Sequence, residues 1–262
     1  MQIDLDKARK PFRKLRKLVK AISPETPPEQ IHDLRTSCRK VEATLHSLPN
    51  QGGRRGRGAL KRIKPLRRVA GEIRDMDELM GKAAPLCTGP DCKQLVCLLE
   101  DLSAQRKKAD RKLSKLVRKR GSRIVRVLKQ AQKGVDRASE SASGKQPSAP
   151  AQALAERLQH WPPLHHDNLH DFRKGVKELR YTLQIFGPAD EAQLNAYGKV
   201  KDAVGEWHDW LELKHAAEKV FCNAPAHPVL RQIREQARRR LRQAMTAANG
   251  LREQGFQIQG AE

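Results

Sequence analysis

The sequence predicts an all-α protein made of two four-helix units related by an internal pseudo-twofold repeat, with long helices. Three observations carry this expectation. Apolar residues recur at helical spacing between short breaks rich in Pro, Gly and Ser. Aromatic residues make up only 4% of the chain and β-branched runs are short, which leaves little material for a sheet. Two stretches, HDLRTSCRKVEATLHSL at 32–48 and HDFRKGVKELRYTLQIF at 170–186, are near copies of one another.

The breaks define the elements in order. SPETPP at 23–28 separates a first helix near 4–22 from a second near 28–48. PNQGGRRGRG at 49–58 reads as a loop because its glycines disfavour helix, so the third helix is expected near 58–82. LCTGP at 86–90 precedes a long fourth helix near 91–133. ASESASGKQPSAPA, about 138–151, is small and polar and reads as a connector between a first unit at about 4–137 and a second at about 152–255. HWPP at 160–163, GP at 187–188 and NAPAHP at 223–228 then bound helices near 150–160, 167–186, 190–221 and 228–253. The repeat extends beyond the opening pair. VAGEIRDMDEL at 69–79 matches AVGEWHDWLEL at 203–213, pairing Gly71 with Gly205, Glu72 with Glu206, Asp75 with Asp209 and Glu78 with Glu212.

Charge narrows the function. With 53 Lys and Arg against 30 Asp and Glu, the formal net charge is +23, and such a chain repels itself unless an anion relieves it. No stretch approaches the length of an apolar membrane span, and MQIDLDKARKPF has no apolar core of a signal peptide, so a cytoplasmic protein is expected. The five cysteines, Cys38, Cys87, Cys92, Cys97 and Cys222, follow no zinc or disulfide spacing and read as buried free thiols.

On a helical wheel with His170 at 0°, Phe172, Val176, Leu179, Leu183 and Phe186 fall between about 160° and 240°. His170, Arg173, Lys174, Lys177 and Arg180 fall on the other side, between about 280° and 40°, with Tyr181 among them at about 20°. The earlier copy divides likewise: Leu34, Cys38, Val41, Leu45 and Leu48 against His32, Arg35 and Arg39. A solubility face mixes signs through i,i+4 acid–base pairs; this stripe does not, and like charges at that spacing cost helix stability. A third basic element runs from 105 to 129, where Arg111, Lys115 and Arg118 belong to twelve cations set against the single acid Asp110. A shorter basic run, LRQIREQARRRLRQAM, occupies 230–245.

The doubled H-D-x-R-x-x-x-[RK] helix, the K-x-L-R-Y ending at Lys177–Tyr181 and the G-E-x-R-D-x-D segment at Gly71–Asp77 together resemble the CHAD family, the conserved histidine α-helical domain. The resemblance covers the chain from about residue 5 to 255 as a single domain. It implies two four-helix units with basic residues lining a surface between them, non-enzymatic binding of inorganic polyphosphate, and association in some members with polyphosphate or storage granules. The positions that match are His32, Arg35, Arg39, His170, Arg173, Lys174, Lys177 and Arg180. Arg74, Arg111, Lys115, Arg118 and Tyr181 join them as candidate contacts. Glu42 and Ala43 stand where the second copy has Arg180 and Tyr181, and His208 stands where the first has Arg74, so the copies are not equivalent.

Two rival classes follow from the same residues. Weak, sequence-tolerant nucleic-acid binding at a granule or nucleoid would use the basic surface, but Tyr181 is the one aromatic on the stripe and no nucleic-acid motif is present. A metal-dependent phosphotransfer enzyme would need carboxylates, and Glu72, Asp75, Asp77, Glu206 and Asp209 are the repeated acids. Their expected role is instead to pair with arginines that face the cleft and hold them extended. No P-loop or nucleophile elbow accompanies them, so no catalytic residue and no cofactor is expected. His166, Asp167 and His170 are a partial zinc pattern without an evident further ligand, and no metal is expected. Trp207 and Trp210 read as core or interface anchors. Oligomeric state has no signature in the chain.

Overall fold

The computed structural model describes residues 5–23, 26–46, 48–86, 93–140, 149–186 and 190–256. Among them every regular element is a helix: α1 (Leu5–Ala21), α2 (Pro28–His46), α3 (Gly53–Ala83), α4 (Lys93–Glu140), α5 (Ala149–Gln159), α6 (His166–Phe186), α7 (Glu191–Val220) and α8 (Pro228–Gln254). Single 3-10 turns at Pro49–Gly52 and Ala84–Leu86 flank α3. From 141 to 148 the expected connector lies outside the described residues.

Most boundaries agree with the breaks in the sequence, and local chemistry explains them. Asp190 caps α7 by accepting the Ala192 amide at 3.1 Å. Asn168, in the first turn of α6, reaches back to the His165 amide at 2.9 Å, and its own amide donates to the Pro163 carbonyl. His227 caps α8, with Pro228 in the first helical turn, where its missing N–H costs nothing.

The start of α3 is a correction. Residues 53–58 are helix and not loop, because the glycines serve a tight turn that precedes the helix. Gln51, Gly52 and Gly53 all have positive φ, at 55°, 69° and 71°. A Cβ on Gly56 would stand 1.8 Å from the Gln51 carbonyl oxygen, so the reversal closes only with glycine there. The fourth helix is also longer than expected, 48 residues, or about 72 Å at the α-helical rise of about 1.5 Å per residue.

The apolar faces read on the wheel are the buried ones. Leu34, Cys38, Val41 and Leu45 of α2, and Phe172, Val176, Leu179 and Leu183 of α6, are buried. Each such side chain contributes on the order of 1.5–3 kcal/mol. The repeated threonines behave alike: Thr44 donates to the Lys40 carbonyl and Thr182 to the Glu178 carbonyl, both one turn back. The Phe186 side chain lies outside the described set.

Consecutive helices pack in both halves, α1 on α2, α2 on α3, α3 on α4, then α5 on α6, α6 on α7, α7 on α8, but α1 also packs along α4 while α5 has no comparable contact with α8. One core fills α1–α4 and includes Phe12, Leu15, Ile63 and Leu128. A second fills α5–α8 and includes Phe172, Tyr197 and Trp207. A third belongs to neither half alone. Leu79 and Ala83 of α3 and Leu95, Leu98 and Leu102 of α4 pack with Trp210, Leu213 and Phe221 of α7 and Leu230 and Ile233 of α8. This shared cluster ties the halves together where α3 crosses α7, and beside it α2 approaches α6. Trp207 and Trp210 thus serve as core and interface anchors.

Of the cysteines, Cys38 is buried, and burial pushes its thiol pKa far up. Cys97 and Cys222 are exposed free thiols, contrary to the expectation of burial. Cys87 and Cys92 lie outside the described residues. No described helix is long and apolar enough to cross a membrane.

Candidate anion-binding cleft

Because their apolar faces are turned into separate cores, α2 and α6 present their cationic faces to one another. Between them, floored by α3 and α7, lies a cleft of about 770 Å³. From α2 it is lined by His32, Arg35, Thr36, Arg39 and Lys40. From α6 come His170, Arg173, Lys174, Lys177, Arg180, Tyr181 and Gln184. Helix α3 supplies Arg74, Asp75 and Glu78; α7 supplies Lys201, Asp202, Gly205, Glu206, His208 and Asp209.

The guanidinium groups are held by backbone and by glycine. Arg173 Nε donates to the Lys201 carbonyl at 2.9 Å, and Arg180 Nε donates to the Leu194 carbonyl at 3.1 Å. Anchoring at Nε leaves the terminal nitrogens of each fork for another acceptor. Arg173 lies flat against Gly205, where a Cβ would come within 2.7 Å of Nη2. Gly71 faces the Arg35 guanidinium in the same way with more room, its would-be Cβ being 3.7 Å from Nε. The repeated glycines of the two G-E-x-x-D segments therefore make space for the first arginine of each stripe. Arg35 also has an ion pair with Asp75 at 3.4 Å.

Deeper in, the cations have no acid to meet. Lys177 has no ion pair among the described residues; its ammonium lies 6.0 Å from the centre of the Tyr181 ring. Burial, then Arg39, Arg173, Arg35 and Lys201, push its pKa down to about 6. Arg39 is in the same position on the facing helix. Its Nε is buried without a hydrogen-bond partner, and burial, Arg35 and Arg67 lower its pKa to about 10. At the far end of the stripe the His170 and His208 rings lie 4.4 Å apart, tilted by 31°, and His170 Nδ1 is buried with no hydrogen-bond partner among the described residues. Burial, His208 and Lys174 push the His170 pKa down to about 4. Burial and Arg74 lower that of His32 as well.

Acids gather on one side only. Asp75 and Asp209 sit where α3 and α7 meet, next to a smaller cavity that Glu72 and Glu212 also line. Burial and Asp209 raise the Asp75 pKa against the opposing pull of Arg35. Arg74 spends its charge on Glu78 and Lys174 on Asp171. Of the repeated acids Glu72, Asp75, Asp77, Glu206 and Asp209, Asp75 alone among the described residues has an ion pair with a cleft arginine, and Asp209 meets His208 at 3.9 Å. Asp77 binds Arg106 at 2.6 Å, Glu72 binds Lys112, and Glu206 binds Lys82 at 2.6 Å.

Ten of the thirteen candidate residues from the sequence line this cleft: His32, Arg35, Arg39, Arg74, His170, Arg173, Lys174, Lys177, Arg180 and Tyr181. Three do not line it. Arg111, Lys115 and Arg118 are exposed on α4, which packs on α1 and α3 and has its own cationic face outside the cleft. The lining also includes Lys40, Lys201 and Asp202, which sequence reasoning missed. Lys201 had a signal: it stands one turn before Gly205, on the face that carries His208 and Asp209. The metal pattern also shifts. His170 is drawn into the cleft, so the described atoms near enough to share an ion are those of His165, His166 and Asp167, all exposed.

A sequence model described as the CHAD domain matches residues 5–218. Among solved structures, PptA from Streptomyces chartreusis is similar at a TM-score of 0.65 and 17% identity, covering 95% of this chain and 97% of that one. The CHAD domain from the plant Ricinus communis is similar at a TM-score of 0.64 and 16% identity, covering 95% of this chain and 93% of that one. At such identities these likenesses speak for the fold. No curated protein matches the chain.

Proposed function

Because the chain belongs to the CHAD domain family, whose model spans residues 5–218, we propose that the cleft between α2 and α6 binds inorganic polyphosphate and does not turn it over. One observation carries this reading: Arg39 and Lys177, one from each half, lie deep in the cleft with no acid paired to either among the described residues. A cation buried among cations is unfavourable, and an anion entering the cleft relieves it. Polyphosphate supplies a flexible row of oxyanions with almost no apolar surface. The cleft offers the matching parts: anchored guanidinium forks, a mobile ammonium, and imidazoles that become donors on both nitrogens once protonated.

Nucleic acid fits less well. Tyr181 is the lone benzenoid ring among the lining residues, and Lys177 covers it, so there is no row of rings for bases to stack on. Phosphate transfer would need acids grouped around a metal and a positioned nucleophile; the cleft acids Asp75, Glu78, Asp202 and Glu206 are tied instead to arginines and lysines. A protein that holds polyphosphate in this way would travel with polyphosphate deposits, which is the localisation we assign to it.

The test is a binding comparison of wild type and the double variant Arg173→Ala, Lys177→Ala against polyphosphate, duplex DNA and RNA. Each lost charge-assisted contact is worth about 1.5–3 kcal/mol, so the variant is expected to bind polyphosphate at least about a hundredfold more weakly. Binding should also weaken steeply with salt. Unchanged binding by the variant, or DNA outcompeting polyphosphate on the wild type, would overturn the assignment. Release of phosphate in the presence of magnesium would overturn its non-enzymatic part.

A further inference from the structure

Outside the cleft, α1 and α4 enclose a second concave surface of about 420 Å³, lined by Arg13, Arg16, Lys17, Lys20, Val125 and Lys129. Five of the six lining residues are cations and none is an acid. Arg13 and Lys17, and likewise Arg16 and Lys20, stand four residues apart on α1, a spacing at which like charges destabilise a helix. Among the ion pairs of the described residues, the lining cations meet an acid only where Asp6, at an exposed position, reaches Arg13 at 3.2 Å. A concave surface of one sign concentrates its field and draws in an anion.

The same helix carries positive charge back to the cleft. Lys40, which lines the cleft on α2, has its pKa lowered by burial and then by Lys14 and Lys10 of α1, so these ammonium groups are close enough to repel. Lys10 is exposed, and Lys14 is partly neutralised by Asp33 at 2.8 Å. Positive side chains thus continue from Lys40 across α1 toward Lys17 and Arg13.

We propose that the α1–α4 cavity is a second polyphosphate subsite, reached over Lys40, Lys14 and Lys10 by chains long enough to leave the cleft, so that the protein selects long chains over short ones. This rests on the reading of the cleft given above. Its lining has no aromatic ring and a single apolar side chain, so it has nothing for a nucleobase to rest on, and a bare phosphate chain is the anion it fits. A polymer held in the cleft presents its free end to the cavity at high effective concentration, which multiplies affinity only when the chain spans both.

The experiment compares tripolyphosphate with long-chain polyphosphate on wild type and on the triple variant Arg13→Gln, Lys17→Gln, Lys20→Gln, all at exposed positions. A control triple variant, Arg238→Gln, Arg239→Gln, Arg242→Gln, removes the same charge from exposed positions on α8 that line neither cavity. The α1 variant is expected to bind tripolyphosphate as wild type does. It should lose about tenfold or more for long chains, with a salt slope shallower by about two to three. The control should stay within about twofold of wild type. Full long-chain affinity in the α1 variant would overturn the subsite while leaving the cleft in place, as would an equal loss in the control. Failure of wild type to bind either polyphosphate would overturn the reading of the cleft itself. Capture of duplex DNA on the α1–α4 face in preference to polyphosphate would replace the ligand.

Discussion

Lys177 shows at one residue how this site differs from an ordinary polar surface. In water its ammonium would titrate near 10.5; in the fold, burial and four neighbouring cations bring it to about 6. The unfolded chain therefore holds a proton that the fold has shed between pH 6 and 10.5, so stability rises with pH across that window. Lys177→Met keeps the aliphatic stem and removes the buried amine, whose protonation the fold disfavours. It should stabilise the unliganded protein near neutral pH by about 1–3 kcal/mol in a denaturant titration, while polyphosphate affinity falls. Bound phosphate restores the proton, so calorimetry in buffers of different ionisation enthalpy should record proton uptake on binding above pH 6. Affinity should tighten as pH falls toward 6. Gly205 makes a second test. Ala is worth about 1 kcal/mol over Gly within a helix, but its Cβ would stand 2.7 Å from Arg173 Nη2 and push the guanidinium off the Lys201 carbonyl. Gly205→Ala should keep thermal stability within about 1 kcal/mol of wild type and weaken polyphosphate binding by about tenfold.

At the scale of the element, a wheel shows which face of a helix is apolar but not which neighbour the other face will meet. For α2 and α6 the apolar rows were legible at every described position, and the cationic rows follow from them by geometry. For α4 the same method found a genuine cationic face, and that face lies outside the cleft. Arg111, Lys115 and Arg118 point to solvent because α1 and α3 take the opposite face. Lys201 went unseen because α7 is buried on several sides, against α6, α8 and α3, so its apolar residues mark no single face. The glycines at 53–58 misled for a different reason, since a tight turn before a helix and a break within one use the same residue. The crossing of α3 and α7 supports its own prediction. Asp75 subtracts charge from the cleft while pairing with Arg35 at 3.4 Å. Burial and Asp209 disfavour its charged form on balance, so Asp75→Asn should tighten polyphosphate binding by up to about fivefold and leave unliganded stability unchanged or raised by up to about 1 kcal/mol, read by paired binding and thermal-unfolding measurements.

For the whole molecule, a net charge of +23 is spread unevenly over a scaffold held by three cores. The first two cores turn α2 and α6 so that their cations face inward. The shared cluster of α3, α4, α7 and α8 keeps those two rows at a fixed separation, so the cleft exists before any ligand arrives and little ordering is needed on binding. Of this shared cluster only Trp210 was legible as a core or interface anchor; the rest lie in two unbroken blocks, 79–102 and 210–237, whose helical apolar spacing does not distinguish them from the neighbouring core segments of the same helices. A structure of the protein with bound polyphosphate tests the account most directly. It should show a phosphate chain running between α2 and α6, with oxygens about 2.7–3.2 Å from nitrogens of Arg39, Arg173 and Lys177. Polymer ordered on α8 or along the exposed face of α4, with Arg39 and Lys177 untouched, would contradict it.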